Sequence, residues 1–198
     1  MAEPLDKLLV RVRNCQICAA SLPLGPRPVV QIARQARIMI IGQAPGLRVH
    51  KTGLPWNDAS GDNLRNWLGV SREQFYNPSL FAIMPMGFCY PGKSTSGDLP
   101  PRPECAPAWH HQLWELLPNI ELTLLIGRYA QRYYLIGEAY ATLTETVRHW
   151  QQYAPTRIPL PHPSPRNRRW LSQNPWFEQE ELPALRARVH EVLGDTQR

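Results

Sequence analysis

The chain has 198 residues, enough for one domain (1–198) with a sizeable core, and no apolar run approaches the length of a membrane span. A net charge of +6 and a pI near 9.4 favour a polyanionic partner. The first residues lack the apolar centre of a signal peptide, so a cytoplasmic monomer without membrane contact is expected.

In chain order, residues 4–13 read as a short helix with Leu5, Leu8, Leu9 and Val12 on one face. Cys15-Gln-Ile-Cys18 follows, then a Pro-rich extended segment from Leu22 to Val30. Ile38 to Ile41, closed by Gly42, is the apolar run of a buried strand. A long loop then carries Gln43, His50, Trp56, Asn57 and Asp58. Long loops in compact domains are often functional. The next helix starts near Gly61, with Ser60 or Asp58 as N-cap and Leu64, Trp67 and Leu68 on one face. Leu80 to Met84 is a second strand, and Pro85 to Pro103 an irregular loop.

Ala106 to Leu117 predicts a helix, and Ile120 to Ile126 a third strand ended by Gly127. Helices follow at about 128–136 and 142–152, the second opening on the capping-box pattern Thr142 to Glu145. Arg157 to Leu160 is a short fourth strand. A last helix covers about 176–193, with Asn174 as its cap and Pro175 in its first position. Strands alternating with helices predict a three-layer α/β/α fold around a mainly parallel four-stranded sheet. In such sheets ligands bind beyond the carboxyl ends of the strands.

Two further groups carry chemistry. Cys15, Cys18, Cys89 and Cys105 are either unrelated reduced thiols or four ligands of one centre. Disulfides are rare in the cytoplasm, and four thiolates suit an iron–sulfur cluster or a structural zinc. The second group is His162-Pro-Ser-Pro-Arg-Asn167 with Arg168, Arg169 and Trp170 behind it. Cations beside an aromatic suit phosphate contact with a side chain inserted between bases. The alternative is a solvated loop whose Trp170 packs inward.

Together these segments resemble the uracil-DNA glycosylase superfamily. GQAPG at 42–46 is similar to its first motif, and HPSPRN at 162–167 to the second motif of the single-strand-selective branch. The order of the four cysteines, and KTGLPW at 51–56, resemble the iron–sulfur family 4 branch. The resemblance implies a monofunctional glycosylase that excises uracil or a related deaminated or modified base from DNA. It implies a [4Fe–4S] cluster, with zinc as the alternative, on Cys15, Cys18, Cys89 and Cys105. It implies His162 as a donor to the leaving base with Gln43 beside it; His50, standing where family 4 has an acidic residue, would either place water or bind phosphate. Trp56 would stack on the base, next to Gly42, Ala44 and Asn57. Ser164, Arg166, Asn167, Arg168 and Arg169 would contact DNA.

The chain also departs from these relatives. Ala44 stands where the family 1 branch has Asp, and Val49-His50 where family 4 has an acidic pair. Relatives that read uracil place an Asn after the second strand, whereas this chain has Met84-Pro-Met-Gly-Phe-Cys89. The alternative function is a weak or inactive protein that binds damaged DNA.

Overall fold

The computed structural model describes residues 4–95 and 97–194. The helices are α1 Leu5–Arg13, α2 Leu47–Thr52, α3 Ala59–Leu68, α4 Arg72–Tyr76, α5 Cys105–Trp114, α6 Gly127–Tyr134, α7 Leu143–Arg148, α8 Arg168–Gln173 and α9 Leu182–Leu193. The strands are β1 Ile38–Ile41, β2 Phe81–Ile83, β3 Lys93–Ser94, β4 Gly97–Asp98, β5 Leu122–Ile126 and β6 Arg157–Leu160.

Four strands form one parallel sheet in the order β2-β1-β5-β6. Successive strand residues face opposite sides, and the β1 run Ile38–Ile41 divides accordingly. Ile38 and Ile40 pack with Leu64 and Leu68 of α3 and Leu185 and Val189 of α9. Met39 and Ile41 pack with Leu8 and Val12 of α1 and Trp109 and Leu113 of α5. The sheet therefore has a core on each face, and the architecture is α/β/α. All four strands end on the same edge, the one from which the loops after β1, β2 and β6 leave. Among the described residues no helix is long and apolar enough to cross a membrane.

The structure departs from the sequence reading in five places. The loop after β1 contains α2, and the segment after Asn77 is preceded by α4, which a Ser71–Gln74 capping box starts. The stretch from Pro85 to Pro103 contains the β3–β4 hairpin, too short to show a strand period. His162 to Trp170 is not an extended loop tip, because a 3₁₀ turn at Pro165–Asn167 leads directly into α8. The last helix opens on a π-turn, Phe177–Glu181, and Asn174 does not cap it with its side chain. That side chain instead donates to the Trp170 carbonyl and accepts from the Trp176 indole.

Candidate active site

At the carboxyl edge of the sheet lies a pocket of about 540 Å³. The loop after β1 supplies Gly42, Gln43 and Ala44, and the loop after β6 supplies His162, Ser164 and Arg166. Trp56 and Asp58 enter from the α2–α3 connection, Pro85 from the end of β2, and Lys93 and Asp98 from the hairpin. Gln43, Trp56 and His162, far apart in sequence, thus share one cavity.

Trp56 is the one non-glycine residue with positive φ, 55°, among those described. A bulky side chain rarely adopts that conformation. Two glycines make room for it. A Cβ on Gly42 would lie 2.7 Å from Trp56 Cζ2, and one on Gly61 would lie 1.7 Å from the Trp56 carbonyl oxygen. The indole ends 5.6 Å from the His162 ring, centroid to centroid, tilted by 37°. It packs on the α3 side of the core with one face and borders the pocket with the rest.

His162 is fixed by its own loop. The Ser164 backbone N–H donates to His162 Nδ1 at 3.2 Å, so the ring proton of the neutral imidazole sits on Nε2. Burial lowers the pKa of His162, partly opposed by the negative charge of Asp58. The ring is therefore a neutral donor near pH 7. Asn167 donates to the His162 carbonyl at 2.7 Å, and Asn63 of α3 donates to the Pro163 carbonyl at 2.9 Å. These bonds hold the motif against the helix that also positions Asp58.

Asp58 is the N-cap of α3, with Oδ1 accepting from the Gly61 N–H at 2.9 Å. Its other oxygen fronts the pocket beside Gly46, and Asp98 Oδ2 approaches the same glycine from the hairpin. Asp98 was not among the residues singled out from sequence. The turn-rich string Lys93 to Asp98 is its only local signal.

Among the expected catalytic, base-binding and DNA-binding residues, His50, Asn57, Asn167, Arg168 and Arg169 lie outside the cavity lining. His50, on α2, is buried with its ring 5.9 Å from that of Tyr90, and Tyr90 lines the pocket in front of it. Burial first, then the charge of Arg27, lowers its pKa, and its Nδ1 has no protein partner. Asn57 turns away to accept from Arg72 at 3.1 Å. Of the arginines, Arg166 borders the pocket, while Arg168 and Arg169 are exposed on α8. Trp170 packs inward, its indole N–H donating to Thr144 Oγ1 at 2.8 Å and its ring set edgewise to Trp176 and Phe177.

The backbone N–H groups of Met84, Met86 and Gly87, after β2, are occupied. The Met86 and Gly87 N–H groups donate to the Gly42 and Gln43 carbonyls at 2.9 and 3.0 Å. Pro85 has no N–H, and its carbonyl accepts from His110 Nε2 at 3.0 Å. Tyr134 donates to the other ring nitrogen of His110 at 2.7 Å. Burial lowers the pKa of His110 to about 4, consistent with this neutral ring.

The four cysteines border a second, small cavity together with Phe88 and Trp109. Two of the sulfurs accept from N–H donors. The Trp109 indole donates to Cys15 Sγ and the Phe88 backbone to Cys105 Sγ, both at 3.3 Å. The Cys18 thiol donates to Glu104 Oε2 at 3.8 Å, and that carboxylate is also held by Arg102. Burial raises the Cys89 thiol to about 11 and the Cys105 thiol to about 12, so without a cationic centre both stay protonated. Among the described residues no group of three or more His, Cys, Asp or Glu side chains is placed to hold a single metal ion.

The family model described as uracil DNA glycosylase superfamily matches residues 29–186. That span contains the whole pocket and two of the four cysteines, Cys89 and Cys105.

Proposed function

Because the chain belongs to the uracil DNA glycosylase superfamily, a family of DNA glycosylases, we infer that it hydrolyses the N-glycosidic bond of a deaminated or otherwise modified base in DNA. One observation carries this reading. His162, held as a neutral Nε2 donor, faces Trp56 across a pocket that also holds Gln43.

The chemistry follows from charge. A glycosylase takes its target out of the base stack into a pocket. A flipped base lying against the Trp56 indole presents its carbonyl edge to His162 and Gln43. As the C1′–N bond breaks, its electron pair leaves with the base, which becomes an anion. The His162 N–H stabilises that anion, and the sugar becomes oxocarbenium-like and positive. Asp58 supplies a negative charge on the sugar side and orients water towards C1′. The water oxygen bonds C1′ as its proton passes to the carboxylate. His50, in ring contact with Tyr90 and outside the pocket lining, is not used in this step.

Base choice is the finer part of the proposal. The Met84, Met86 and Gly87 N–H groups at the end of β2 are already paired and Pro85 has none, so that wall has no free N–H to read uracil. Losing such a buried partner costs about 1–3 kcal/mol. Recognition falls to Gln43, His162 and the hairpin residues, and uracil is one candidate among several.

We propose that Cys15, Cys18, Cys89 and Cys105 hold a [4Fe–4S] cluster. Four sulfurs around one cavity, two of them met by N–H donors, support it. Zinc is the alternative on the same four sulfurs and would draw them to about 2.3 Å from one point. Such a cluster supplies a redox-capable iron centre and ties the N-terminal arm to the segment after β2.

The test is single-turnover base release from oligonucleotides carrying uracil, hypoxanthine, xanthine or hydroxymethyluracil. His162→Ala should slow release by roughly 10²–10³, the scale of removing one oxyanion donor, with DNA affinity little changed. Undiminished release by His162→Ala overturns the mechanism. If the parent releases none of the four bases, binding of damaged DNA without cleavage takes the place of this reading.

A further inference from the structure

The strained backbone of Trp56 is gripped by side chains of α3 and α4 that do not themselves line the pocket. Tyr76, at the end of α4, donates its hydroxyl to the Pro55 carbonyl at 2.9 Å. Arg65 of α3 reaches the Trp56 carbonyl at 3.4 Å and the Tyr76 hydroxyl oxygen at 3.5 Å. Arg72 donates to Asn57 Oδ1 at 3.1 Å and lies 4.8 Å over the Tyr76 ring. Three consecutive residues, Pro55, Trp56 and Asn57, are thus each held by a side chain of α3 or α4.

Arg65 is a costly group to use for packing alone. It is only 7% exposed, ion-paired to Asp62, and stacked 5.4 and 5.7 Å from the Phe75 and Tyr76 ring centres. An apolar side chain of similar volume often stabilises such a position as well or better. What an apolar side chain lacks is a donor for the Trp56 carbonyl. A left-handed conformation at a bulky residue persists only where its surroundings over-determine it. Here Gly42 leaves room for the indole and Gly61 for the carbonyl, while Arg65 and Tyr76 donate to the Trp56 and Pro55 carbonyls.

We propose that Tyr76, backed by Arg65, is a positioning residue that holds Trp56 in its left-handed turn so that the indole presents its face to the flipped base. The proposal rests on the reading of Trp56 as the base-stacking surface. Tyr76 is suited to the part, since burial raises its pKa and keeps the hydroxyl a donor.

Tyr76→Phe removes the hydroxyl and leaves the ring under Arg72 and against Phe75. On whichever oligonucleotide the parent cleaves, base release should slow about tenfold, the equivalent of one lost hydrogen bond. Affinity for undamaged duplex should be unchanged. In a Trp56→Ala background the same substitution should have no further effect, because residues acting through one another are non-additive. An equal slowing in both backgrounds, or none in the parent, overturns the proposal. A second measurement is independent of cleavage. The ¹⁵N–¹H resonance of the Trp56 indole, assigned with Trp56→Phe, should shift in Tyr76→Phe while that of Trp150 stays in place. An unmoved Trp56 resonance refutes the clamp whatever the activity. A moved resonance in a protein that releases no base refutes the glycosylase reading and retains the clamp.

Discussion

Replacing Glu181 with leucine should stabilise the protein by an amount that grows with pH. Glu181 ends the π-turn that opens the last helical segment, is fully buried, and has no protein partner for either carboxyl oxygen. It sits among Phe177, Leu182 and Leu185. Burial raises its pKa from 4.5 to about 9, so the folded protein keeps it neutral at pH 7 while the unfolded chain ionises it. The folded state therefore holds a proton that the unfolded state releases. Stability is unaffected below the unfolded pKa of 4.5 and is lost progressively as pH rises towards 9. At pH 7 the gap is about two and a half pH units at about 1.4 kcal/mol each, or on the order of 3 kcal/mol. Urea denaturation of the parent and of Glu181→Leu at about pH 5.5, 7 and 8.5 measures it. The difference between them should widen by roughly 1.4 kcal/mol per pH unit, the slope of one proton. A difference that stays constant across this range would show that the carboxyl is ionised in the folded protein, and the burial argument would fail.

Other expectations follow from the site. Asp58→Asn keeps a good N-cap for α3 but removes the charge, and should slow base release by about 10²-fold or more with little change in melting temperature. His162, with its pKa lowered by burial, should give a rate flat from neutral to alkaline pH and falling only as the ring protonates in acid; a rate that rises as pH falls would exclude the neutral donor. Cys89→Ser should cost both visible colour and stability; colourless parent protein with stoichiometric zinc would refute the iron assignment. Arg166→Ala should weaken binding to any DNA sequence and reduce the salt slope by about one, whereas an unchanged slope would place the DNA elsewhere.

Local sequence carried much of the architecture. Four apolar residues closed by a glycine marked β1, and the Arg157–Leu160 strand and the Thr142–Glu145 capping box appear where their residue patterns place them. Alternating strands and helices also determined that the loops after β1 and β6 share an edge, because parallel strands all end on the same side. Gln43 and His162 could therefore be paired before any coordinates were known. Tertiary structure decided the side chains' directions. His50 and Asp58 lie in the same connection, but the turn of α2 buries His50 behind Tyr90, while the cap of α3 turns Asp58 to the pocket. Trp170 follows the arginines in sequence, yet α8 swings it onto Trp176 and Phe177. Asp98 reaches the site on a strand of two residues, too short to have a period. Periodicity reports which residues share a face within one element. Which face meets the cavity depends on how that element packs against others distant in the chain.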